Sequence, residues 1–133
     1  MTTIRTAVAP AAAVIVAPLL HPAPAGAGVY WAAAVWSSDQ KSADWYANYR
    51  SQTTLILAIQ DAGWAGYQTF RSGQCAAIAY YSYRGLGRSY NGVIVRVDDT
   101  EDGAASDAIN SANAKVAMLF DGQTTLAGTY CQG

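Results

Sequence analysis

The densest run of chemistry-bearing side chains lies between Tyr80 and Arg96. Tyr80-Tyr81-Ser82-Tyr83-Arg84-Gly85-Leu86-Gly87-Arg88-Ser89-Tyr90-Asn91-Gly92 interleaves aromatic rings with two arginines, and Arg96 follows shortly. No acid occurs between Arg71 and Arg96, whereas five occur from Asp98 to Asp107. Aromatic faces beside guanidinium groups stack on sugars or bases and hold anions. Tyr81, Tyr83, Arg84, Arg88, Tyr90 and Arg96 are therefore the candidate binding residues. The competing reading is structural: a long hairpin connection whose tyrosines cover a sheet edge and whose arginines pair with the following acids. The glycines form no phosphate motif, since no Gly-Lys-Ser/Thr follows and the spacing is not G-x-G-x-x-G.

Other chemistries find less support. In calcium-loop register from Asp98, position five is Asp102 and position six is Gly103, but position three is Thr100 and position twelve is Ile109, where a bidentate Glu is required. The segment reads better as an acidic helix start, and no metal site or cofactor is expected. Asp39 and Asp44 are a conceivable acid–base pair for glycoside cleavage, and Ser38 or Ser42 with Lys41 a conceivable dyad. Aspartate is also common in turns, and no second feature supports catalysis. Cys75 and Cys131 are the only thiols, 56 positions apart. In an exported protein two cysteines read as one disulfide, whereas a reactive thiol needs an activating His or metal.

Export is the expectation from the amino terminus. Arg5 is the only charge in residues 1–27, an apolar run spans Ala7 to Leu20, and Ala25-Gly26-Ala27 supplies small residues at −3 and −1. That order is a secretory signal peptide, with cleavage after Ala27, or alternatively after Ala25. The run is shorter than the roughly 20 apolar residues of a spanning helix, and Pro10 and Pro18 interrupt it. Cleavage leaves residues 28–133 as one domain, secreted or held at the cell envelope, with no integral membrane segment. His21, the single histidine, leaves with the leader. Ser-His-Asp and Cys-His catalysis and His-ligated zinc then have no imidazole. The whole chain is 52% hydrophobic and 13% charged with net charge −1, which excludes charge-driven disorder and argues against nucleic acid held by bulk charge.

The elements that must position these residues follow a doubled pattern. Trp31-Ala32-Ala33-Ala34-Val35-Trp36 resembles Cys75-Ala76-Ala77-Ile78-Ala79-Tyr80. Each is followed by an aromatic stretch and then a helix with an N-cap candidate, Ser51 or Thr100. Leu55, Ile56, Ile59 and Ala62 share a face of the first helix, with Gly63 as its C′ glycine. Ala104, Ala105, Ala108, Ile109 and Ala112 form the stripe of the second. Short strands are expected at 67–71 and 116–120, another at 92–97 from its alternating valines, and a last one at 124–130. The expected fold is α+β: a duplicated β-β-α-β unit with two helices packed on one face of a mainly antiparallel sheet.

The chain resembles the family called domain of unknown function 4189, small exported bacterial and notably actinobacterial proteins. The likeness rests on the leader, the aromatic-Ala-Ala-Ala-Val segment, the helix from Ser51 to Gly63, Phe70-Arg71-Ser72-Gly73-Gln74-Cys75-Ala76-Ala77-Ile78-Ala79-Tyr80, and the terminal Tyr130-Cys131. The family typically carries a further cysteine pair, absent from Asp61-Ala62-Gly63-Trp64-Ala65-Gly66-Tyr67. Cys75 and Cys131 match the family's second pair. The family brings no catalytic residues. The functional expectation is a non-catalytic module binding a protein or cell-envelope component; the alternative is a carboxylate-based hydrolase acting on cell-wall glycans.

Overall fold

Ala32-Ala33-Ala34-Val35 places apolar side chains on both sides of an extended chain, so both sides must be covered. The computed structural model describes residues 28–133 and the backbone of two strands nearer the amino terminus, β1 (Arg5–Ala9) and β2 (Ala12–Ile15). It buries all four of those apolar residues completely, at the centre of β3 (Trp31–Trp36). There follow β4 (Ser42–Tyr49), α1 (Gln52–Asp61), β5 (Gly66–Arg71), β6 (Cys75–Gly85), β7 (Arg88–Asp98), α2 (Glu101–Val116) and β8 (Phe120–Cys131). Apart from those two strands, the expected signal peptide lies outside the described residues.

The fold is α+β with two antiparallel sheets. In the first the order is β4-β3-β5, with β1 and β2 continuing beyond β4; in the second it is β7-β6-β8. Each half runs β-β-α-β, its first strand central and its helix linking the two flanking strands. Ser51 and Thr100 are the N-caps: their hydroxyls accept from Thr54 N at 3.3 Å and Gly103 N at 3.0 Å. Gly63 follows α1 at φ +83°, the left-handed conformation that ends a helix cheaply only at glycine.

The layering differs from the sequence expectation in one respect. Both helices were expected over one sheet, but the structure divides the strands into two sheets and gives each a helix. Ala32, Ala34, Trp45 and Phe70 of the first sheet face Ala76, Ile78, Tyr80 and Ala127 of the second. On its other side the first sheet meets α1 through Ala33, Val35, Tyr46, Leu55 and Ile59. The second meets α2 through Ala77, Ala79, Ile94, Ala104, Ala108 and Ala112. The reason lies in β3 and β6, whose apolar runs are buried on both faces and so demand a partner on each. The strand expected at 116–120 is also displaced: α2 continues through Val116, and one long β8 replaces two short strands. A short apolar run cannot by itself distinguish the end of a buried helix from a strand.

Cys75 and Cys131 are direct cross-strand partners and are joined in a disulfide, with Cα atoms 3.9 Å apart. Beside them the buried Gln132 accepts from Asn48 N and donates to Asn48 Oδ1, each at 2.9 Å. One end of the second sheet is thus tied both to itself and to β4.

Candidate functional site

At the other end the second sheet outreaches the first. The expected loop after Tyr80 is a hairpin: β6 continues to Gly85, Leu86 and Gly87 turn at φ +48° and +77°, and β7 returns from Arg88. Two successive positive φ values mark the two-residue turn whose twist suits paired strands. Tyr83 lies opposite Tyr90, and their rings stack at 5.1 Å and 18°. Tyr81 stacks on Tyr83 at 6.5 Å and 7°, its ring covering Gly92 across the strand pair, where any Cβ would collide with it. Such cross-strand aromatic contacts stabilise a hairpin by roughly 0.2–1 kcal/mol each.

Strand alternation sends Tyr80, Ser82 and Arg84 to the opposite face from Tyr81 and Tyr83. There the turn between β3 and β4 closes over the overhang. Asn91 Nδ2 donates to the carbonyls of Asp39 and Gln40 at 2.9 and 3.0 Å, and Gln40 Oε1 accepts from Val93 N at 2.9 Å. The turn is held by Asp39 Oδ1, which accepts from Ser37 Oγ at 2.6 Å and from Lys41 N at 3.1 Å. These bonds, the serine hydroxyl first, hold the Asp39 carboxyl below its ordinary value.

A cavity of about 350 Å³ results, within the range of small-ligand sites. Gln40 and Lys41 line it from the turn, residues 80–84 and 89–92 from the hairpin, and Asp121, Gln123 and Thr125 from β8. Arg84 Nη1 lies 3.7 Å from Asp121 Oδ2, both side chains two-thirds exposed, so the pair adds little stability. Tyr80 is 3% exposed, and among the described residues its hydroxyl meets no hydrogen-bond partner. Burial first, and the nearby Asp44 charge second, push that phenol far above its ordinary range.

Of the expected residues, Tyr81, Tyr83, Arg84 and Tyr90 are in the lining of this cavity, Arg84 on the face beneath the turn and the stacked tyrosines on the opposite one. Arg88 stands exposed beside the turn, outside the lining. Arg96 lies further along β7 opposite Ala77, donating to Val95 O at 3.0 Å, and does not join them. Arg84 pairs with Asp121, not with an acid between Asp98 and Asp107 as the structural reading held. Gln40, Lys41, Gln123 and Thr125 carry no local signal, because chain segments far apart in sequence deliver them. Tyr80 was legible as core but not as a buried hydroxyl without a partner.

The acids at 98–102 serve the helix start. Asp98 Oδ1 accepts from Asp99 N at 2.6 Å, and Glu101 and Asp102 occupy the first turn of α2, where the helix dipole favours negative charge. Among the described residues no group of three or more His, Cys, Asp or Glu is placed to hold a metal ion. Neither Asp39 nor Asp44 lines the cavity, and Asp121 is the one carboxylate among the described lining residues. Trp64, which the neighbouring Gly63 and Gly66 would by themselves leave exposed, is half-buried against α1's cluster and donates its indole N–H to Tyr46 Oη at 3.1 Å. Among the described residues no helix is long and apolar enough to cross a membrane. No family model, curated protein or solved structure matches the chain.

Proposed function

We propose that the chain is a non-catalytic, exported binding module that takes a protein or cell-envelope component at the cavity beneath the β6–β7 overhang. One observation carries this reading: the cavity is lined by residues 80–84 and 89–92 of the aromatic-basic segment, and on the face of Tyr80, Ser82 and Arg84 it brings them to the polar groups of Gln40, Asn91 and Gln123. A buried tyrosine hydroxyl without a partner is costly unless a ligand supplies one. The disulfide fits a protein that matures in an oxidising compartment outside the cytoplasm. Membership of the exported family called domain of unknown function 4189, and an origin of the two halves by duplication, belong to the same reading. The glycan-hydrolase alternative is weaker, because two carboxylates about 5–10 Å apart are needed and the lining offers Asp121 alone.

The test is crosslinked capture from cell-envelope extract by the purified protein. Arg84→Ala with Gln123→Ala, both exposed lining residues, should lower capture several-fold while leaving thermal unfolding within a degree or two of the parent's, about the effect expected of surface changes. Unchanged capture overturns the reading.

A further inference from the structure

The overhang carries a second feature outside the cavity lining. Leu86 in the β6–β7 turn, Met118 between α2 and β8, and Phe120 at the start of β8 are 101, 104 and 83% exposed, close to what an extended chain would show. They share one end of the second sheet, since Phe120 lies opposite Arg84 on β6, two residues before Leu86, and α2 ends at Val116. Leu86 and Met118 also sit at φ +48° and +65°, a left-handed conformation that costs a non-glycine residue. Large apolar side chains held in water on strained turns suggest burial against something other than the protein's own core.

Charge selects what that is. Arg84, Arg88 and Lys115 lie at this end, with Lys41 in the β3–β4 turn over it, against Asp121, held by Arg84, and Asp39 in that turn. The far end of the same sheet and helix carries Asp98, Asp99, Glu101 and Asp102. The second half of the molecule is therefore polarised, basic where it is apolar and acidic where it is stapled. Tyr83 and Tyr90, stacked and partly exposed just behind the turn, are amphipathic rings of the kind that settle at the headgroup level of a bilayer. Side chains that protrude from two separate turns need no shape-matched groove to enter a lipid layer. We propose that this end docks on an anionic lipid surface: Leu86, Met118 and Phe120 enter the acyl boundary, and Arg88 and Lys115 meet the headgroup phosphates.

The proposal stands apart from ligand capture in the cavity, because the residues it places in the lipid layer, Leu86, Met118, Phe120, Arg88 and Lys115, lie outside the lining. Co-sedimentation of the purified, disulfide-bonded protein with vesicles tests it, using phosphatidylglycerol mixed equally with phosphatidylcholine against phosphatidylcholine alone. The protein should sediment with the anionic vesicles and be released by salt. Leu86→Ser, Met118→Ser and Phe120→Ser together should cut that partition by about tenfold or more with the thermal melt retained. Arg88→Glu with Lys115→Glu should cut it about tenfold on anionic vesicles and leave phosphatidylcholine binding alone. Absence from anionic vesicles, equal uptake by both kinds, or indifference to the triple substitution overturns the proposal. So does a dimer in sedimentation velocity that the triple substitution dissociates, with no vesicle uptake, since the face would then join two copies of the chain.

Discussion

The two halves of the molecule share one strand order and differ in reach. The central strand of the first, β3, has six residues, all within the packed region. That of the second, β6, has eleven, of which the first six are buried and the last five run on beyond the first sheet's cover. Five residues of strand extend about 16 Å. Both the cavity and the exposed apolar end lie along that extension. Each half also sets an aromatic ring over a cross-strand glycine, Trp36 over Gly66 and Tyr81 over Gly92. In the first the ring packs against the core between the sheets; in the second it packs against α2's cluster and also stacks on Tyr83. The same local device ends at the core in one half and continues outward into a tyrosine stack in the other, and strand length is the difference.

The largest effect should come from the stapled end. Cys75→Ala with Cys131→Ala frees a 56-residue separation and should cost on the order of 4 kcal/mol in urea unfolding. A loss near zero would mean that the Gln132–Asn48 bonds hold this end unaided. Next, Gly66→Ala should cost about 1–3 kcal/mol, because Trp36 is packed and cannot swing away. Gly92→Ala should cost a similar amount, because Tyr81 is half-buried against α2's cluster, and unlike Gly66→Ala it should also weaken capture. Unchanged capture in Gly92→Ala would erase the contrast between the halves.

Tyr80→Phe removes a buried hydroxyl that has no partner among the described residues, and should raise stability by about 1 kcal/mol while lowering capture at the cavity. The same phenol sets a pH dependence. Its folded value is raised above the ordinary 10.0, so its contribution is fully present below about pH 10. It declines as pH rises further, because the unfolded chain loses the proton first. Burial raises Tyr49 and Tyr130 as well, so in Tyr80→Phe the alkaline decline should shallow but persist, as urea midpoints from pH 9 to 11.5 would record. The smallest effect is at the open end. Met118→Gly relieves a positive φ at a fully exposed site and should raise stability by about 0.5 kcal/mol in thermal unfolding. A decrease would show that Met118 packs against the protein.

Much of the architecture was legible where local chemistry decides it. Ser51, Thr100 and Gly63 end their helices through bonds and dihedrals confined to a few residues, and the leucine and alanine stripes follow a single period. What escaped was set by distant partners. Val116 reads equally as strand or helix until the rest of α2 is seen to carry it along the second sheet. Trp64 beside two glycines reads as exposed until Tyr46 receives its N–H. Half of the candidate site was readable from its tyrosines and Arg84, whereas Gln40 and Lys41 arrive from a turn some forty residues away.

The amino-acid order by itself determined the α+β class, the β-β-α-β order of each half, the helix caps, the paired cysteines and the segment richest in binding chemistry. Each depends on residue type, period or spacing, which are properties of the chain before it folds. The tertiary structure alone decided that there are two sheets with a helix on each outer face, that the second overhangs the first, and which four of six expected residues meet at a cavity. Those outcomes depend on which buried surfaces find one another, and an apolar run such as Ala32-Ala33-Ala34-Val35 specifies that it must be covered on both sides without specifying by what.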